Sequence, residues 1–229
     1  MRKYSGFIVG AAAMLAACSG AADQSVDQDT PTQPETTATE ADTPQSILVT
    51  EGVNSGTYNL EKTHASLVWK VSHNGLSNYT ARFTDFDAQI MLDAGAPAAA
   101  SLTARINPLS VRTDHPSGPD WDQTLRSDEK WFNAENFSEI TYRSTSIDIS
   151  GDKTGIVNGE LTLLGVTQQV PLAVSFNGVR NFAWYGERDV IGFSATATLK
   201  RSDFGMTALL PAIGDEVKII IEAEFVEAE

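Results

Sequence analysis

One cysteine in 229 residues rules out a disulfide framework. Positive charge is also scarce. Sixteen Lys and Arg stand against 30 Asp and Glu, a net charge of −14. A chain so poor in basic residues has no face able to neutralise phosphates, so nucleic acid is excluded as a partner. No apolar run reaches the roughly 18–20 residues that a helical span requires. There is no phosphate loop, no dinucleotide fingerprint, no G-x-S-x-G and no H-x-x-x-H or H-x-H pair. No internal repeat appears, and the lone Trp121-Asp122 pair has no counterpart a blade-length away.

The first residues do carry a signal. Arg2 and Lys3 precede an apolar stretch from Gly6 to Ala17, too short to span a bilayer and of the length of a secretory signal. It ends in Leu15-Ala16-Ala17-Cys18, which resembles the bacterial lipobox. That resemblance implies a signal peptide over 1–17 and lipid attachment at Cys18, with enough acyl chains for stable anchoring. Ser19 rather than Asp follows the cysteine, which points to the periplasm-facing side of the outer membrane in a bacterial envelope. Residues 18–54 then read as an acidic tether. They hold Asp23, Asp27, Asp29, Glu35, Glu40, Asp42 and Glu51, with no Lys, Arg or aromatic residue. Such a composition buries too little apolar area to offset its ordering entropy. A domain over 55–229 remains, large enough to bury roughly 70% of its unfolded surface.

In that domain the hydrophobic period is two. Leu67, Trp69 and Val71 alternate with Val68, Lys70 and Ser72. Leu102, Ala104 and Ile106 share one side of 101–106, and Leu172, Val174 and Phe176 one side of 171–176. Phe193, Ala195, Ala197 and Leu199 form another row, and Val217, Ile219, Ile221, Ala223 and Phe225 the last. Period two repeated this often predicts an all-β, antiparallel sheet with one buried face. Further strands are expected over 57–60, 85–92, 139–144 and 156–163, with a tight turn at Leu164-Gly165. Short helices are expected over 120–127 and 129–133. About eight strands point to a barrel or sandwich.

Residues for catalysis are sparse, and none is assigned. His64 and His73 bracket the Leu67–Val71 strand without metal-ligand spacing. Asp114 and His115 share a loop with Asp120 and Asp122, the one place where an acid–base cluster could form. No metal site is expected. A hydrolase built on that loop stays open as an alternative.

Several ordered blocks carry a family resemblance. They are Tyr58-Asn59-Leu60 with His64 to Val71 and His73-Asn74-Gly75; Ala81 to Phe86; Leu125 to Asn133, followed by Phe137 and Ile140-Thr141-Tyr142; Gly159 to Thr167; Lys200-Arg201-Ser202-Asp203-Phe204-Gly205-Met206; and Gly214 to Val217. Together they resemble the YceI family, the lipocalin-like polyisoprenoid-binding proteins of bacterial envelopes. Two departures are Glu61, where the family often has Asp, and Gln123-Thr124-Leu125, where it often has x-His-Leu. The resemblance implies an extended antiparallel barrel enclosing an apolar tunnel for an isoprenoid, an isoprenoid quinone or another long-chain lipid, and no other cofactor. Lining side chains would come from Leu67, Trp69, Val71, Phe83, Phe86, Phe132, Phe137, Tyr142, Leu161, Phe193 and Phe204. The mouth would carry His73, Asn74, Arg201 and Asp203, the last two equally readable as an ion pair pinning a turn. The sequence leaves open a solid-cored module regulating a membrane partner, and a homodimer.

Overall fold

The computed structural model describes residues 52–117 and 120–229. The expected signal peptide, Cys18 and the tether up to residue 51 lie outside the described residues. Among the described residues there are twelve strands and one α-helix: β1 (Gly56–Leu60), β2 (Ser66–His73), β3 (Ser77–Phe83), β4 (Phe86–Leu92), β5 (Ser101–Ile106), β6 (Val111–Arg112), α1 (Trp121–Ser127), β7 (Ile140–Gly151), β8 (Thr154–Leu163), β9 (Val166–Gln169), β10 (Leu172–Asn181), β11 (Asp189–Lys200) and β12 (Ile213–Glu227).

Eight of these strands form a closed antiparallel ring in the order β1-β4-β5-β7-β8-β10-β11-β12, with β12 returning to β1. Closure leaves the ring no open edge. β12 is the longest strand, and its edge opposite β11 serves two partners. Its C-terminal end pairs β1, Leu60 opposite Phe225, and its N-terminal part pairs β2, Trp69 opposite Ile219. Between β1 and β2 a short 3-10 turn interrupts the line. There Glu61 caps the turn by accepting the backbone N–H groups of Thr63 and His64. Beyond β2 the sheet continues through β3 to the two-residue β6. Register shifts in β7, β10 and β12 supply the bends that a small barrel needs.

The expected inward rows are the observed ones, because each strand has one apolar and one polar face. The tight turn after β8 also forms as expected. Leu164 and Gly165 both have positive φ, 54° and 74°, the geometry of a two-residue hairpin that twists with its strands. Two expectations change. Residues 129–133 are turns, not a helix. Asp128 accepts the Lys130 N–H and Asn133 takes a left-handed φ of 45°, which stops any helical run. The packed body also begins ahead of residue 55: Val53 is buried, and the Asn54 N–H donates to Asp189. Asp120 caps α1 through the Gln123 N–H, as its position before Trp121 suggests.

Candidate functional site: an apolar cavity inside the ring

The inward rows do not fill the ring. A cavity of about 730 Å³ runs through it, within the roughly 300–1,000 Å³ range of small-molecule sites. Its wall is built almost wholly from strand residues of period two. β2 contributes Leu67, Trp69, Val71 and His73; β11 contributes Phe193, Ala195, Ala197 and Leu199; β12 contributes Val217, Ile219, Ile221, Ala223 and Phe225. Tyr142 and Leu161 enter from the paired strands β7 and β8, and Phe83 and Phe86 flank the turn from β3 to β4. Phe132, carried by the turns after α1, meets Phe83 edge-on at 5.3 Å and Trp69 at 6.5 Å between ring centres.

Two aromatic residues expected in the wall lie elsewhere. Phe204 is 2% exposed and packs in the core behind the wall. Phe137 covers Gly165 at the β8–β9 turn; a Cβ at that glycine would fall 2.9 Å from its ring. Both residues sit outside regular strands, so alternation gave no handle on where they point. The wall also holds residues not expected there: Ala88, Ile90 and Leu92 of β4, Tyr79 of β3, and His115, Trp121, Trp131 and Leu209 from connecting segments. The β4 row was legible as Phe86-Ala88-Ile90-Leu92 against Asp87 and Gln89. The connecting segments were not, because they have no period.

Polar groups in the wall are few, and most are already engaged. The Tyr142 hydroxyl donates to the Val157 and Val170 carbonyls at 2.9 and 3.1 Å, and burial pushes its pKa up to about 12. Arg201 is 3% exposed. Its guanidinium donates to the carbonyls of Met206, Ala208, Ile213 and Gly214 at 2.8–3.0 Å and lies over the Trp131 ring. Burial lowers its pKa, and the nearby Asp215 opposes that shift. Arg201 therefore reaches the wall as a structural clamp on the segment before β12. The expected ion pair with Asp203 is not formed. Asp203 is exposed, and its backbone carbonyl accepts from Gln168. Lys153, at the β7–β8 turn, is the other cation in the wall, and among the described residues its ammonium makes no ion pair.

Five wall residues are exposed to solvent: His73, His115, Trp121, Lys153 and Leu209. His73 and Leu209 are neighbours, since Ile213 lies opposite His73 and donates its N–H to Leu209. They mark an opening at the N-terminal end of β12. Asn74 is beside it, its N–H on the Ala212 carbonyl, but is not part of the wall. Toward the other end of β12 a second packed cluster forms around Tyr58, Ile191 and Phe225. Tyr58 is fully buried and donates to the Asn54 carbonyl, with Asp189 3.3 Å away. Burial and the charges of Asp189 and Glu227 push its phenol well above the usual range.

The acids of the 114–122 region do not gather around His115. Asp114 pairs with Arg82 at 2.8 Å, Asp120 caps α1, and Asp122 accepts from the Thr113 backbone and hydroxyl at 2.8 and 2.7 Å. Among the described residues no carboxylate partners His115, and no group of three or more His, Cys, Asp or Glu is placed to hold a metal ion.

A closed eight-stranded barrel with an apolar cavity that reaches solvent is the architecture of a binding protein for an elongated apolar molecule. The family model for the YceI-like domain matches residues 58–225, and the chain belongs to that family. A "UPF0312 protein" of Shewanella baltica is 32% identical over 181 residues, covering 78% of this chain and 92% of that one. Another from Ectopseudomonas mendocina is 35% identical over 161 residues, covering 70% and 81%. Among solved structures, the YCEI protein of Campylobacter jejuni is similar at 27% identity and a TM-score of 0.60, covering 70% of this chain and 91% of that one. A polyisoprenoid-binding domain from Saccharophagus degradans shares the fold at 15% identity and a TM-score of 0.54, covering 76% and 100%.

Proposed function

We propose that this protein is an envelope lipoprotein that holds one long-chain lipid, of the isoprenoid class, inside its barrel. The observation that carries the reading is the cavity. A barrel built only as a scaffold would close on its own side chains, whereas here the inward rows leave about 730 Å³ unfilled. An apolar wall with few free polar groups suits a hydrocarbon tail, which gains on the order of 0.8 kcal/mol for each methylene withdrawn from water. The shared fold with a domain described as polyisoprenoid-binding supports the choice of lipid. Anchoring at Cys18 rests on the lipobox resemblance and would hold the barrel at a membrane that contains such lipids.

The test is to fill the void. Ala197 is 9% exposed and faces the cavity from the middle of the wall. In a tight core Ala197→Phe would overpack and destabilise by about 1–3 kcal/mol. In an open tunnel it should be accommodated. Native mass spectrometry of the full chain purified from membranes should show one lipid per parent molecule and none on Ala197→Phe, with similar melting temperatures. A parent that carries no lipid and takes up no polyprenol would overturn the reading.

A further inference from the structure

The cavity's opening is surrounded by apolar side chains that face water. Leu209 belongs to the wall yet is 60% exposed. Leu210 follows at 38%, and Leu76, on the hairpin tip between β2 and β3, is 87% exposed. The tip and the 209–213 segment touch, because Asn74 donates its N–H to the Ala212 carbonyl. Three of the eight large hydrophobic residues exposed among the described residues, Leu76, Leu209 and Leu210, thus lie on two touching segments at this end.

The same two segments are free of charge. Residues 71–81 and 204–214 contain no Asp, Glu, Lys or Arg, in a chain of net charge −14. Surface segments of an acidic protein that expose leucines and exclude every charge do not serve solubility. They do suit a bilayer interface, where an acidic surface would be repelled by anionic headgroups and a buried charge would be costly.

We propose that Leu76, Leu209 and Leu210 form a collar that docks this open end of the barrel on the lipid bilayer. A chain can then pass between membrane and cavity without crossing water. This rests on the lipid-holding reading and adds to it the surface through which the ligand is exchanged. Immersing leucine side chains contributes the binding energy, and the absence of charge lets the surface come into contact.

The experiment compares two routes of delivery into the full chain. A fluorescent polyprenol is offered either from phosphatidylcholine vesicles or as monomer diluted from ethanol without vesicles. In Leu76→Asp/Leu210→Asp, which leaves the cavity wall untouched, uptake from vesicles should slow by about tenfold or more, since two leucines no longer enter the interface. Uptake of monomer and final affinity should match the parent. Trp184→Asp, which alters a 74% exposed aromatic outside the cavity wall, should leave both routes unchanged. The collar is overturned if the double variant draws polyprenol from vesicles at the parent's rate, or if Trp184→Asp slows that route equally. A parent that takes up polyprenol by neither route overturns the lipid-holding reading and the collar with it. Uptake of monomer without uptake from vesicles overturns the collar alone.

Discussion

Arg201 and Asp203 stand two positions apart, and the sequence makes them look like partners. The 3-10 turn over 201–204 separates them, sending Arg201 inward to four carbonyls and leaving Asp203 in water. The acid that matters is Asp215, which comes from across the clamp and accepts both the Ser202 N–H and its hydroxyl, at 2.9 and 2.7 Å. The Ser202 hydroxyl holds the Asp215 carboxyl below the usual carboxylate range, against a smaller opposing effect of burial. A carboxyl whose pKa is lowered by folding stabilises the fold above the unfolded value, about pH 4, and that contribution is lost as pH falls through the lowered value. Asp215→Asn should therefore cost about 0.5–1.5 kcal/mol at neutral pH, the worth of a hydrogen bond to a charged group less what the amide retains. The gap between variant and parent should narrow as the pH falls below about 4, as read from urea midpoints at neutral and at acidic pH. A gap that stays constant would show that Asp215 acts by packing alone.

At the scale of the element, the strands with one clean apolar row were legible from alternation: β2, β5, β11 and β12 lie within a few residues of their expected bounds. β7 and β10 run longer than expected, because bulges break the alternation that would have extended them. β9 has four exposed residues and β6 only two, so neither carries a burial pattern to read. The β7–β8 pair shows a second limit. Gly159 looks like a weak point in a strand, yet it is where the Tyr142 ring lies flat against the neighbouring backbone. A Cβ there would overlap the ring and the Arg143 carbonyl. Gly159→Ala should displace Tyr142 from the two carbonyls it bridges and destabilise by about 2–3 kcal/mol, lowering the urea midpoint without changing its slope. Of the site, the residues on strands could be placed from sequence, whereas Phe137, Phe204, Trp121 and Leu209 could not. Their direction is fixed by turns and by contacts distant in the chain.

The described residues form a ring in which β1 and β12 meet. Tyr58, Asn59 and Leu60 pair with Glu227, Val226 and Phe225. Deleting residues 225–229 removes these three pairs and the buried Phe225 together. The loss should exceed about 3 kcal/mol, the scale of a large aromatic removed from a core, and should lower the thermal midpoint by several degrees in circular dichroism. An unchanged midpoint would mean that β1 needs only β4 to hold it. Closure by two strands more than 150 residues apart also bears on the order of events during folding. The strands from β3 to β10 find their partners among β1 to β11, but β1 and β2 each keep one edge unpaired until β12 is present. Contacts this far apart in sequence are slow to form. Until β12 joins, the ring has no inside, so an apolar ligand can be enclosed only once residues 213–227 have taken their place.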